Sequence, residues 1–434
     1  MSPITVGIWG IGLLILLFLL RMPVAFAMAL VGFCGFAYLA SPTAAIGILG
    51  RDIFDYFSSY PLSVIPMFIL MGTFAFASGI SRRLYQTTYA WAGQYRGGLT
   101  IATVFACAGF GAICGSSTAT AATMGQIALP EMKKYKYDDT LATGAVAAAG
   151  TLGILIPPST VFIIYGILTE QSIGKLFVAG VLPGIILTLL FATTVAILCW
   201  RNPSIGPPGP PTGWKEKLKS TTGIIEALIL FLLAIGGLFL GWFSPTQAGA
   251  IGAGGALIIG LARRQLSWRS FSDACKEGLR TSCMVIFIIT GAVIFGRFMA
   301  VSRIPFLLAE WLGGLPISPM AIISIIIFIY FIGGFFMDSM ALIVLTVPIF
   351  YPLVMKLGFD PIWFGVIIVL TGEMGVITPP VGVNVFVIKG IVPDVPLETI
   401  FRGIFPFLAA LIVMTIILMV FPQIATFLPK FITY

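Results

Sequence analysis

The chain has 434 residues, 59% hydrophobic and only 9% charged, with no histidine. A soluble domain carries roughly 25% charged residues, so most of this surface faces a lipid bilayer, and without histidine the Ser–His and Cys–His nucleophiles and common zinc sites are excluded. The net charge of +8 would raise nucleic acid as a partner of a soluble protein, but here the basic residues sit in short loops between apolar runs, a topology signal rather than a nucleic-acid surface.

The first apolar run, 4–20, has no basic segment before it and ends at Arg21 without a small-residue cleavage site, which predicts a retained span and not a signal peptide. Further spans are predicted at about 23–40, 61–80, 141–168, 176–199, 223–243, 246–262, 282–300, 362–391 and 403–421. Each is near the ~20 residues that cross a bilayer as a helix. Spans 141–168 and 362–391 are interrupted by Pro-Pro. Two other apolar regions, about 104–130 and 322–352, carry Gly and polar residues at mid-length and read as re-entrant hairpins that enter and leave on one side. The segments Ser81–Gly97 and Val301–Pro316, which precede them, mix Trp, Leu and charge, as interfacial amphipathic helices do; a solvated loop is the plainer reading. The six cysteines form no C-x-x-C pair and read as small buried apolar residues.

With the N-terminus outside and neither hairpin crossing, 18 of the 24 Lys and Arg fall on the inner side. That bias places both termini on the outer side, which the resemblance given below makes the periplasmic side of a bacterial inner membrane. The stretch Arg201–Thr222, rich in Pro, Gly and Lys, divides the chain into residues 1–200, an inner linker 201–222 and residues 223–434.

A shift of 222 residues aligns the halves: Pro23 meets Pro245, Ser117 meets Ser339, Pro130 meets Pro352, Asp138 meets Asp360, and Gly153-x-x-x-Pro157-Pro158 meets Gly375-x-x-x-Pro379-Pro380. Five crossings per half is an odd number, so the second half enters from the opposite side. The predicted fold is therefore an all-α polytopic membrane protein. It has two inverted-topology repeats, each of about five transmembrane helices, one broken at Pro-Pro, plus one re-entrant hairpin. That is a common architecture of secondary transporters.

The polar residues gather at the interruptions. Gly109–Thr120 holds Gly115, Ser116, Ser117 and Thr118, and the other hairpin holds Asp338 and Ser339. A turn at bilayer depth leaves carbonyls that lipid cannot satisfy, and neutral oxygens suit Na⁺; alternatively the hydroxyls simply join helices. A charge at the Asp338 tip calls for a cation, a partner or a wet cavity. Glu373 has three open roles: it ligates an ion, holds the hairpin, or carries a proton. At each Pro-Pro, proline stops helical bonding, freeing carbonyls before the break and amides after it, so one break can seat a cation and an anion; a simple kink is the alternative.

Arg21-Met22-Pro23-Val24-Ala25-Phe26-Ala27, Gly115-Ser116-Ser117-Thr118-Ala119-Thr120, Ile156-Pro157-Pro158-Ser159 and Glu373-Met374-Gly375-Val376-Ile377-Thr378-Pro379-Pro380-Val381-Gly382-Val383-Asn384 resemble the large membrane subunit of tripartite ATP-independent periplasmic (TRAP) transporters, along essentially the whole chain. The resemblance implies a sodium-driven importer of a small organic anion, with a scaffold and an elevator-like moving part. It implies two partners, a small four-helix membrane subunit and a periplasmic binding protein, and no cofactor beyond Na⁺ as coupling ion. Carried over, the sodium ligands are Gly115, Ser116, Ser117, Gly153, Ile156, Asp338, Ser339, Gly375 and Thr378. The substrate seat is Ser117, Thr118, Ser159, Thr160 and Asn384, with Glu373 as a coupling acid. A carrier that needs no binding protein, and a proton-coupled one using Asp338 and Glu373, are the competing expectations. An intramembrane enzyme is not expected, because no nucleophile–base pair is present.

Overall fold

The computed structural model describes residues 2–20, 22–314 and 316–432. Arg21 of the first motif and Leu315 of the segment Val301–Pro316 lie outside them. Among the described residues every regular element is helical. The helices of the first half are α1 (Pro3–Leu19), α2 (Val24–Leu39), α3 (Pro42–Phe57), α4 (Val64–Ala77), α5 (Ile80–Ala92), α6 (Gly98–Cys114), α7 (Ser117–Lys134), α8 (Asp139–Ala149), α9 (Leu152–Leu155), α10 (Thr160–Thr169) and α11 (Ile173–Arg201). Those of the second half are α12 (Trp214–Ser220), α13 (Thr222–Phe231), α14 (Gly237–Phe239), α15 (Pro245–Ala262), α16 (Trp268–Ser302), α17 (Ile304–Gly313), α18 (Pro319–Gly333), α19 (Ser339–Lys356), α20 (Pro361–Ile377), α21 (Val383–Ile391) and α22 (Leu397–Val420).

Seven helical stretches among the described residues are long and apolar enough to cross a membrane, and eight if α8–α10, bent by 40° at its break, counts as one. The expected crossings α1, α2 and α20 have 17, 16 and 17 residues, just under that length. Three expectations need correction. Helix α3 was not foreseen: Arg51, Asp52 and Asp55 hide its apolar face, although Ser41 followed by Pro42 is a helix start, and Ser41 does accept from Ala44 N–H at 3.2 Å. Helix α16 runs 35 residues, because Asp273, Lys276, Glu277 and Arg280 extend it as a polar helix with no breaker. Cys34 and Cys283 are exposed, not buried; on a lipid-facing helix an apolar residue has no need of a core.

Stretch 201–222 is not free chain. Gly97 N–H donates to Gly206 O and Gly209 N–H to Gly93 O, both at 2.8 Å, and α12 occupies its last third.

Packing is paired between halves. Helix α2 lies on α16 and α4 on α15; α8 lies on α22 and α11 on α20; α7 lies on α21 and α19 on α10. Charged contacts fix the outer elements. Glu226, 8% exposed, receives Arg83 Nε and Arg263 Nε, each at 2.8 Å, which ties α5 to α13 and the end of α15. Asp52 on α3 receives Arg297 from α16 at 3.3 Å.

The α8–α22 contact depends on glycine on both sides. A Cβ on Gly403 would stand 2.9 Å from the Gly144 Cα, too close for any real contact. Gly144→Val should therefore destabilise the chain by about 1–3 kcal/mol, the usual cost of overpacking. Thermal unfolding of the purified chain in detergent reads this; an unchanged midpoint would mean the helices do not cross here.

Candidate functional site

Two helix turns and two helix breaks meet in the interior. At the first turn α6 stops at Cys114 and Gly115 adopts φ +68°, a left-handed conformation that glycine takes without a Cβ penalty. A Cβ there would also lie 2.7 Å from Pro158 O. Ser116 then caps α7 by accepting from Ala119 N–H at 3.4 Å, and its hydroxyl lies 3.3 Å from that of Thr118.

The facing break begins after α9. Ile156 is extended, and the Pro157–Pro158 bond is cis. Thr160 N–H, which a continuous helix would aim at the Ile156 carbonyl, donates to Gly115 O at 3.4 Å, and Thr160 Oγ1 donates to the same oxygen at 3.0 Å. Ser159 is fully buried and caps α10 by accepting from Phe162 N–H at 3.3 Å. Gly153 lets this backbone touch the first hairpin: a Cβ on Gly111 would lie 2.8 Å from Gly153 Cα.

The second turn follows the same plan with different chemistry. Asp338 caps α19 by accepting from Ala341 N–H at 2.7 Å and is exposed at the tip. Ser339 Oγ donates to Glu373 Oε1 at 2.7 Å. Gly334 and Gly375 are in close backbone approach, a Cβ on Gly334 falling 2.9 Å from Gly375 Cα. Helix α20 ends at Ile377, Thr378 Oγ1 donates back to Met374 O at 2.6 Å, the Pro379–Pro380 bond is cis, and Gly382 takes φ +61° before α21.

One carboxyl is buried behind the second turn: Glu373 is 1% exposed, and Ser339 holds one of its oxygens. Asn384, fully buried, donates from Nδ2 to Ala147 O at 3.2 Å. A Cβ on Gly150 would lie 3.0 Å from Ser117 O and 3.2 Å from Asn384 Nδ2, so those two share one neighbourhood. Glu373 Oε2, Asn384 Oδ1 and Thr120 Oγ1 are buried without hydrogen-bond partners. Unmade bonds of buried acceptors cost about 1–3 kcal/mol each, a deficit that an arriving cation or water relieves.

Of the sequence-derived residues, Ser339 pairs with Glu373, Ser117 and Asn384 share the neighbourhood of Gly150, and Gly115, Pro158 and Thr160 form a further cluster at the first turn. Ser159 and Thr378 spend their hydroxyls on capping and back-bonding, and Asp338 stands apart at the exposed tip. Gly150 was missed, and Thr120 lay in the Gly109–Thr120 constellation but not among the carried-over ligands; the signal for Gly150 was its alignment with Gly372, which packs on Ser339 as Gly150 packs on Ser117. Among the described residues no group of three His, Cys, Asp or Glu could hold a metal ion. The oxygens available are carbonyls, hydroxyls, an amide and one carboxylate, a donor set for a hard cation.

Residues 11–424 match the family described as the DctM component of the tripartite ATP-independent periplasmic transporter. The chain is 38% identical over 383 residues to the C4-dicarboxylate TRAP transporter large permease protein of Pseudomonas aeruginosa, covering 88% of this chain and 89% of that one. It is 36% identical to the isethionate TRAP transporter permease protein of Oleidesulfovibrio alaskensis, over 91% of this chain but only 62% of that longer protein. In fold it is similar to the Alcanivorax borkumensis YdaH transporter, with a TM-score of 0.63 at 15% identity, covering 88% of this chain and 89% of that one.

Proposed function

The chain belongs to the DctM component family of the TRAP transporters, and from that premise we propose that it is the sodium-coupled carrier through which a small carboxylate or sulfonate enters the cell. As a member of that family it is a multi-pass inner-membrane permease subunit that handles a small organic anion, and it is not an enzyme. The finer reading is ours. Residues 1–200 and 223–434 form two repeats of opposite orientation, α6–α7 and α18–α19 are re-entrant hairpins, and both termini are periplasmic. Na⁺ binds at the tips and breaks, through Gly115, Ser116, Ser117, Gly153, Ile156, Asp338, Ser339, Gly375 and Thr378. The anion binds between Ser117, Thr118, Ser159, Thr160 and Asn384.

The observation that carries this reading is the matched placement of Ser117 and Ser339, the second of which donates to the buried Glu373. These are the first helical residues after each turn, and each turn stops halfway along a broken helix: Gly115 meets Pro158 between Asp139 and Thr169, and Gly334 meets Gly375 between Pro361 and Ile391. A turn that ends at mid-span is what a re-entrant hairpin requires. Contacts also agree with the charge-derived topology. Lys133 pairs with Asp394 at 2.5 Å, joining segments that the positive-inside count puts on one face, and this lysine holds the Asp394 carboxyl below its ordinary range. The relatives act on a C4-dicarboxylate and on isethionate, both small acids, which supports the substrate class. Delivery by a periplasmic binding protein, a small four-helix membrane partner and an elevator-like movement of the α6–α11 and α18–α22 parts complete the proposal.

The test is uptake into proteoliposomes holding the chain with its cognate small subunit and binding protein, with succinate and isethionate as probes. Uptake of one of them driven by an inward Na⁺ gradient, and dependent on the binding protein, is the expected result. Full uptake by a pH gradient without Na⁺ would replace sodium by protons, and transport by the chain alone would remove the partners.

A further inference from the structure

Lys217, on α12, is only 7% exposed. Its ammonium lies 5.4 Å from the ring centre of Trp214 and 6.0 Å from that of Trp91. The two indoles meet edge to face at 87°, centroids 6.2 Å apart, and Trp91 Nε1 donates to Thr221 Oγ1 at 3.3 Å, which fixes the corner. None of the ion pairs and side-chain hydrogen bonds among the described residues uses this ammonium; Glu216, its neighbour, is exposed. A cation on two aromatic faces is stabilised by the ring quadrupoles, but its three N–H donors still lack an acceptor.

Beside this corner lies a groove of about 500 Å³, walled by Leu84, Thr88 and Trp91 of α5, Tyr95 of the turn that follows it, Phe105 of α6 and Ile224 of α13. Trp91 belongs to both features. The groove is apolar and its rim residues Trp91, Tyr95 and Phe105 are exposed. A second, polar cavity lined by Arg83, Gln86 and Lys219 opens near Gly223, but there Arg83 is already taken by Glu226 and Gln265.

We propose that the corner and groove together bind one anionic phospholipid, its phosphate on the Lys217 ammonium and one acyl chain along the groove. The groove's apolar wall selects a lipid over a soluble anion. The unpaired lysine selects a net negative headgroup over a zwitterionic one, since basic residues at the membrane surface attract anionic lipid. A lipid seated there touches α5, α6, α12 and α13 at once, and so braces the entry into the first hairpin against the linker.

The experiment uses the delipidated chain in detergent, titrated with phosphatidylglycerol or phosphatidylcholine of identical chains. Phosphatidylglycerol should raise the thermal unfolding midpoint by several degrees more than phosphatidylcholine. Lys217→Met should erase that difference, while Lys217→Arg and Lys219→Met keep it. Glycerol phosphate, a headgroup without chains, should not reproduce it. Phosphatidylglycerol with brominated chains should quench a component of tryptophan fluorescence that is lost in Trp91→Phe, which holds whether or not the lysine variant folds. Equal responses to both lipids, a preference that survives Lys217→Met, an equal effect of glycerol phosphate, or quenching unchanged in Trp91→Phe would each overturn the proposal.

Discussion

Replacing Pro157 and Pro158 together with alanine should reduce uptake by roughly two orders of magnitude or more while leaving the chain at least as stable as before. Each proline in a helix interior is about 3 kcal/mol less favourable than alanine, so the double change moves the helix–break equilibrium by about 6 kcal/mol. A shift of about 5.5 kcal/mol carries a two-state element from 1:99 to 99:1, so the break should close. Thr160 N–H would then turn to the Ile156 carbonyl, and Gly115 O would lose the two donors it now holds at 3.4 and 3.0 Å. Both the freed carbonyls and the amide end of α10 disappear from the proposed site. Uptake in proteoliposomes, beside a thermal melt of the same protein, measures this. Normal uptake would show that the interruption is a bend without function.

Asp338→Asn should raise the Na⁺ concentration for half-maximal uptake by about tenfold or more, which corresponds to about 1.4 kcal/mol of lost binding. The substitution is chosen because asparagine caps helices as well as aspartate does. The bond from Ala341 N–H, 2.7 Å in the native protein, has an acceptor in either case, and only the charge is removed. Na⁺ titration of uptake is the readout, with the melting temperature as the folding control. Superimposable titrations would separate Asp338 from coupling and leave Glu373 as the acid to examine.

Much of the architecture could be read from hydropathy because lipid-facing helices need apolar residues along their length, and the Pro-Pro interruptions stand out inside such runs. The elements that escaped are those for which hydropathy carries no information. Helix α3 offers charge to one side, with Asp52 bound to Arg297, 245 residues away. The first third of α16 is polar, and the linker is held by backbone bonds to Gly93 and Gly97 that no side chain announces. The same limit applies to the site. Offset matching paired Ser117 with Ser339 and Gly153 with Gly375, because repeated geometry leaves repeated glycines. It could not show that Ser339 binds a glutamate, since Glu373 sits opposite Thr151 in the alignment and has no carboxylate twin. Hydroxyl chemistry was also ambiguous: Ser159, proposed for the anion seat, also caps α10 by accepting from Phe162 N–H.

The central claim is that the two interruptions share one pocket that opens to solute. Single cysteines at Thr118 and at Val381, both half-buried, placed in a chain whose six native cysteines are replaced, test it through labelling by a membrane-impermeant thiol reagent. The account predicts that both positions react from an aqueous side and that Na⁺ with transported anion slows both together. Labelling of only one position, of neither from any side, or at rates indifferent to Na⁺ and anion would contradict it.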